Sequence, residues 1–263
     1  MKRLIFQVCL GNQANSKLYK HCIDSVRYYA QLHGIDHYVA QTPKLKIKPD
    51  VFTTNRSKES YEKHGGFLPI YEKEQAFDML DDYDQIAIID ADIYIRINAM
   101  NIFEEFEDEY AFGCVFEREM PITDKYKQKI RNYSQMQYGL LHSHKSDFTP
   151  NDLGFEFANM GMMLINCAKF KPYLKGQTAK QFIERSEFKD FVDGQGAWKW
   201  STDQTLLNYF IKKYEVPTQH MHWKWNGLFG ANTDIARCLF IHFFLKDLLP
   251  EQGENVQELM KQL

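Results

Sequence analysis

The sequence has no Cys-x-x-Cys pair, no apolar run long enough for a membrane span and no concentrated basic stripe. Its five cysteines, Cys9, Cys22, Cys114, Cys167 and Cys238, are scattered, several of them within apolar runs. That pattern excludes a zinc ribbon and a disulfide framework, and it suits reduced, buried thiols in a cytosolic setting. No window approaches the roughly 20 apolar residues of a bilayer span. The first apolar run, RLIFQVCL from Arg3, is too short and too poorly flanked for a secretory signal. A soluble, cytoplasmic protein is expected. With a net charge of -3, nucleic acid is not an expected partner; the nearest basic segment, KLKIKP at Lys44 to Pro49, reads as a solvated loop. Internal repeats and low-complexity tracts are absent as well.

What is present is a large core in one domain: 263 residues, 44% hydrophobic and 15% aromatic. KRLIFQVCLGN reads as a buried strand. NSKLYKHCIDSVRYYAQLHG follows with apolar residues at helical spacing, a cap at Asn15 or Ser16 and a stop at Gly34, and DHYVAQT is a second strand. Strand, helix, strand in this order opens a mostly parallel α/β sheet flanked by helices. LPIYEKEQAFDMLDDY is expected as an amphipathic helix leading into the next strand. Further strands are expected in AFGCVFE and FANMGMMLINC, and helices around Lys180 to Phe191 and Asp203 to Lys213. Residues 120–157 have weak periodicity and read as loops with at most short helices. The domain is expected to span 1–250, with 251–263 forming a C-terminal amphipathic helix.

The stretch that points to chemistry is YDQIAIIDADIYIRIN, Tyr83 to Asn98. Ile86 to Ile89 reads as a strand covered on both faces, yet it ends in Asp90 and Asp92. If the strand continued, a period of two would set both carboxylates on one face, where they repel unless a cation joins them or one takes a proton. Hard oxygen ligands suit Mn²⁺ or Mg²⁺; strand-end carboxylates that cap neighbouring amides are the plainer reading. The pair stands at the carboxyl end of a central strand, where open α/β sheets bind ligands.

IAIIDADIYI resembles the DxD segment of GT-A glycosyltransferases, especially family 8-like enzymes. The resemblance continues in order through FANMGMMLIN (Phe157 to Asn166), STDQTLLNYF, WKWNGL (Trp223 to Leu228) and IHFF (Ile241 to Phe244). It implies a GT-A fold, Rossmann-like, with 120–157 as the acceptor-side region. It also implies a divalent metal held by Asp90, Asp92 and His242 on the diphosphate of a nucleotide-sugar donor, a UDP-sugar being favoured. Lys73 would be the basic residue near the donor, and Asn159 and Gly161 would line the sugar pocket, Gly161 because a side chain there would obstruct. Asp203 and Gln204 would contact the transferred sugar close to its anomeric carbon. Trp225 and Asn226 belong to the substrate-binding set, and Lys246 would touch the diphosphate, although HFFLKDLLP lacks the family's Gly and sets this lysine four residues after His242. The acceptor would be a glycan or a small hydroxyl compound.

Plainer readings stand beside these. Ser201 with Gln204 makes a capping box, so Asp203 and Gln204 equally suit a helix start. Asn159 suits a turn, and His242, inside an apolar run, suits a core histidine. His220 and His222 with Trp223 and Trp225 fit either core or a sugar-stacking platform. His33 and His37, separated by Gly34, do not suggest zinc. Retention follows from the resemblance; inversion would need a base such as Asp203, Asp152 or Asp193. A non-catalytic nucleotide-sugar or glycan-binding module would share the fold. A sugar-phosphate nucleotidyltransferase is disfavoured because LGNQANSKLY has one Gly and no Arg after the first strand. Phosphoester hydrolysis usually draws on more His and Asp ligands than the sequence supplies.

Overall fold

Alternating side chains on strands buried from both sides organise the molecule. The computed structural model describes residues 1–50, 61–62, 64–139, 141, 150–196, 198 and 201–263. Arg3–Val8 (β1) pairs in parallel with Asp36–Ala40 (β2) on one side and with Gln85–Ile89 (β3) on the other. Ala158–Asn166 (β6) runs antiparallel to both β3 and Phe112–Phe116 (β5), and β5 pairs in parallel with Thr218–His220 (β7). The six-stranded order is β2-β1-β3-β6-β5-β7. Leu4, Phe6, Ile86, Ile88, Met163 and Ile165 enter one core with Phe170, Phe182 and Phe210. Ile5, Ala87, Ile89, Met162 and Leu164 enter a second core with Val26, Tyr29, Phe103 and Trp225. Burial on both faces explains the unbroken apolar runs.

A small sheet completes the site edge. Its strands are Ile93–Ile95 (β4), Gly227–Leu228 (β8) and Phe240–His242 (β9), in the order β4-β9-β8. Helix α1, Lys17–His33, ends at Gly34 in the left-handed conformation (φ 65°), the backbone state glycine adopts without strain. Ser16 precedes it, but its hydroxyl donates to Glu254 rather than capping the helix. No helix among the described residues is long and apolar enough to cross a membrane.

Several elements differ from expectation. Pro69–Met79 winds as a tight 3₁₀ helix and buries two faces instead of one: Tyr71, Glu72, Glu74, Gln75, Ala76 and Phe77 all point inward. Region 120–157, expected as loops, contains a 15-residue helix, Asp124–Tyr138 (α2), capped by Thr123; residues 140 and 142–149 of that region lie outside the described residues. The inward positions of α2 are Ile130, Ser134, Gln137 and Tyr138. Their spacing is helical, but two of the four are polar, so the apolar period is weak. Cys167–Leu174 (α3) follows β6 directly. The helix expected near Lys180 to Phe191 is broken into Ala179–Ile183 (α4) and Lys189–Asp193 (α5). Asp203–Lys213 (α6) forms where expected. The C-terminal helix shrinks to Val256–Met260 (α7), which packs on its own domain through Leu259 and a His21–Met260 contact of 3.2 Å.

Candidate active site

Three strand ends share one edge of the large sheet. β3 and β5 finish there, and β6, running the other way, begins there. Asp90 follows β3, Glu117 follows β5, and Asn159 is the second residue of β6. Between Cys114 and Val115 the β5–β6 register jumps from Met163 to Asn159. The bulge releases Met160 and Gly161 from β5, the usual way a bulge re-aims groups near a site. Gly161 O instead accepts the Asp90 N–H at 2.8 Å, and Met160 O accepts from Lys73 Nζ at 2.6 Å.

The two aspartates do not share one continuous strand face. The chain turns at Ala91 and Asp92, with the Ile93 N–H donating to Asp90 O at 3.1 Å, and β4 then pairs Ile93 with His242. That pairing brings His242 Nε2 to 3.3 Å from Asp92 Oδ1 and 3.7 Å from Asp90 Oδ2. Ligand atoms of the three residues lie within 4.8 Å of one another, close enough to share one ion. Two carboxylates and one imidazole form a hard to borderline donor set that fits Mn²⁺ or Mg²⁺. Burial opposes the charge of Asp92, but His242 and Lys246 beside it prevail and hold its carboxyl well below the usual carboxylate range. Lys246 Nζ bonds both Asp92 Oδ2 and the Phe243 carbonyl, and lies 5.1 Å from the Tyr19 ring centroid.

Lys73 joins the halves of the site. Its ammonium lies 3.1 Å from Asp90 Oδ1 and 2.8 Å from Asp203 Oδ2. Burial disfavours the cation, yet Asp203, Asp90 and Glu74 together raise its pKa, so it stays charged. Asp203 itself is raised, by burial first and by Asp90, against the pull of Lys73. Thr202, not Ser201, caps α6, its side chain accepting the Gln204 N–H at 3.2 Å; the Ser201 hydroxyl donates to Gln137. Asn208 ties α6 to β6, accepting the Ala158 N–H at 2.6 Å and donating to Ala158 O at 2.9 Å. This bridge sets Asp203 and Gln204 against Asn159.

Asn159 is not a simple turn residue. Its Oδ1 accepts from Gly161 N (3.0 Å) and Asn226 Nδ2 (2.9 Å), and its Nδ2 donates to Glu117 Oε1 at 2.8 Å. Gln204 Nε2 reaches the same oxygen at 3.5 Å. Glu117 was not foreseen. It is buried, and burial raises its carboxyl pKa despite the hydrogen bonds from Asn159 and Gln204. The signal existed, because FGCVFE ends a buried run in a carboxylate just as IAIID does.

Gly161 faces His242: a Cβ there would lie 2.4 Å from His242 Cε1. The obstruction expected at this position is therefore of the imidazole. Asn226 is fully buried behind Asn159. Trp225 is not brought to the site. Its ring is fully buried, edge-on to Phe240 with centroids 5.2 Å apart, and its Nε1 donates to Glu105 at 2.8 Å. Of the residues read as a stacking platform, His220 packs on Phe116 and Glu119 and His222 on Trp223, and none of them lines the cavities beside the cluster. Asp193 holds Lys189 and the Asp50 N–H, and Asp152 is exposed beside the Asn151–Gly154 bridge, so neither joins the cluster. His33 and His37 bond Ala99 O and Gln7 separately. A second group with metal-ligand geometry, Glu119, Glu156 and His220, is exposed or half-buried, and Arg118 and Lys212 already neutralise Glu156.

Two cavities flank the cluster. One of about 300 Å³ is lined by Leu10, Tyr19, His64, Lys73, Asp90, Asp92 and Asp203 among others. The other, of about 540 Å³, is lined by Glu117, Asn159 and Gln204 together with Tyr126, Tyr133, Phe157 and Phe244.

No protein-family model matches the sequence, and no curated protein matches it. Solved structures match its fold. A glycosyltransferase involved in glycosylation of the major capsid of PBCV-1 aligns with a TM-score of 0.55 at 10% identity, over 98% of this chain and 100% of that one. An active-site mutant of LgtC aligns at 0.52 and 15%, over 99% and 96%. LgtC, a galactosyltransferase, in complex with donor and acceptor sugar analogs aligns at 0.50 and 15% over the same shares. The family 8 likeness rests on the sequence segments alone; what the chain shares with these structures is the GT-A glycosyltransferase fold.

Proposed function

We propose that the chain is a metal-dependent glycosyltransferase, active in the cytoplasm, that moves a sugar from a nucleoside diphosphate sugar, most simply a UDP-sugar, to a hydroxyl of a glycan or small acceptor. The observation that carries this reading is the Asp90–Asp92–His242 triangle, joined through Lys73 to Asp203, between two cavities at the ligand-binding edge of the sheet. A chain of the same fold holds donor and acceptor sugar analogs.

The donor belongs in the cavity that contains the aspartates. Asp90, Asp92 and His242 would hold Mn²⁺ or Mg²⁺, which when bound supplies positive charge to the diphosphate leaving group. Lys246, already beside Asp92, has the reach to contact a diphosphate oxygen. Lys73 and Asp203 hold the hydroxyls of the transferred sugar, with Asn159 and Gln204 between its anomeric carbon and the second cavity. Such positioning replaces an improbable encounter with a fixed approach. The acceptor belongs in the second cavity, where Glu117 is the one carboxylate among the lining residues. Glu117 accepts the hydrogen bond of the attacking hydroxyl. It takes the proton as that oxygen bonds the anomeric carbon and the bond from this carbon to the diphosphate oxygen breaks, the nucleoside diphosphate leaving with the electron pair. A base in this role implies inversion in place of the retention that the family 8 resemblance suggests. Asp203 is already committed to Lys73.

The test is release of UDP from a panel of UDP-sugars, with and without Mn²⁺, in the wild type and Glu117→Gln. Metal-dependent turnover of one donor, slowed in the variant, supports the reading. Turnover that ignores both metal and Glu117 would exclude it.

A further inference from the structure

The cavity beside Glu117 does not end at Phe244. A neighbouring cavity of about 630 Å³ shares Tyr126, Lys129 and Leu245 with it and extends along α2 past Lys125, Gln128 and Asn132. The two form one groove between α2 and the segment after β9. Resting on the transferase reading above, we propose that this groove binds an extended acceptor, with its reacting hydroxyl at Glu117 and a phosphate held by Lys129, where the two cavities meet, and by Lys125 beyond it.

Three observations support the assignment. The inner half is aromatic, with Tyr126 edge-on to Phe244 at 5.9 Å and Tyr133 against Phe157 at 5.9 Å; such rings pack on the C–H faces of sugars. The outer half is cationic. Among the described residues neither Lys125 nor Lys129 has a carboxylate within 4 Å, as is true of several other surface lysines, and Lys129 Nζ lies 5.7 Å from the Tyr126 ring centroid. Asp247 is the sole carboxylate lining that end, which leaves an excess of positive charge. Finally, α2 carries Lys125, Lys127, Lys129 and Arg131 against Asp124, which Lys127 neutralises at 3.2 Å, in a chain of net charge -3. Two lysines four residues apart stand side by side on a helix; a phosphate dianion engages both, whereas a carboxylate carries charge for one.

The experiment is calorimetric titration of matched pairs, glucose, galactose and lactose against their 1-phosphates, into protein with Mn²⁺ and UDP. At about 50 mM salt the phosphate should tighten binding about tenfold, as one charge-assisted contact does. The gain should vanish in Lys125→Ala/Lys129→Ala and fall steeply at about 500 mM salt. Both lysines are exposed, so the variant should retain the UDP affinity of the wild type. A phosphate that brings no gain in any pair, or a gain that survives the double substitution, overturns the proposal. Lysine-dependent binding to phosphatidylglycerol vesicles, without any gain from sugar phosphates, overturns it too, by assigning the charge to a membrane surface. Absence of UDP binding alongside an intact phosphate gain would instead remove the transferase reading and leave the groove standing.

Discussion

Lys73 Nζ lies 2.8 Å from Asp203 Oδ2 while the same ammonium reaches Asp90 Oδ1 at 3.1 Å. One cation thus ties the start of α6 to the end of β3. Breaking a buried pair leaves an uncompensated charge, at a cost of about 3–5 kcal/mol. Lys73→Met should lower stability by about that amount in denaturant unfolding, and Lys73→Met/Asp203→Asn should recover a substantial part. A double variant no more stable than the single would mean that the pair is not coupled.

Gly161 and His242 meet at a distance only glycine permits. Gly161→Ala should push the imidazole away from Asp90 and Asp92, lower Mn²⁺ affinity at least about tenfold, as displaced supporting groups do, and cost about 1–3 kcal/mol through overpacking. Isothermal titration and thermal unfolding read the two effects separately. Unchanged Mn²⁺ affinity in a folded Gly161→Ala protein would show that His242 is not a ligand.

Glu117 acts as a base only when ionised, and burial raises its pKa above the ordinary 4.5 of a glutamate. Turnover should therefore rise with pH through a midpoint above 4.5. Glu117→Gln should lower kcat/KM about 10²-fold, the scale of positioned proton transfer, and erase that acidic limb. A pH profile identical in the variant would remove Glu117 from the proton's path.

The parts of this site that were legible in the sequence are those where polarity interrupts an apolar pattern. Asp90 and Asp92 stand out because isoleucines precede them, whereas Asp203 and Gln204 were singled out only by the resemblance of STDQTLLNYF, the capping box that Ser201 suggested being replaced by Thr202 at the start of α6. Helix α2 was hidden because Ser134 and Gln137 face inward, where they bond the Phe155 N–H and the Ser201 and Thr205 hydroxyls; polar inward positions erase the apolar period. Trp225 misled because its indole suits a sugar platform as well as a core, and only the pairing of β8 with β9 decides that it is covered. The register jump between β5 and β6 has no local signature, since it depends on which strands become neighbours.

Glu74 is fully buried, and among the described residues no side chain donates a hydrogen bond to its carboxyl oxygens. Burial, and then the charge of Asp203, raises its pKa well above 4.5. Because the folded pKa is the higher one, its contribution to stability is complete below 4.5 and is lost as pH rises through the folded value. Glu74→Gln, which cannot ionise, should gain stability over the wild type as pH rises, with a difference larger near pH 8 than near pH 5 and reaching about 1–3 kcal/mol, the scale of an unsatisfied buried group. Parallel stability curves from chemical denaturation would show that the pKa of Glu74 is the same in the folded and unfolded protein, and so is not raised by burial.

In the proposed function Asp90, Asp92 and His242 bind a nucleoside diphosphate through a shared divalent ion. Isothermal titration of UDP, then GDP, with and without Mn²⁺, on the wild type and Asp92→Ala, tests it most directly. Mn²⁺-dependent binding of one nucleotide, lost in the variant, is the expected result. Equal binding with and without Mn²⁺, or no binding of either nucleotide by the wild type, would contradict it.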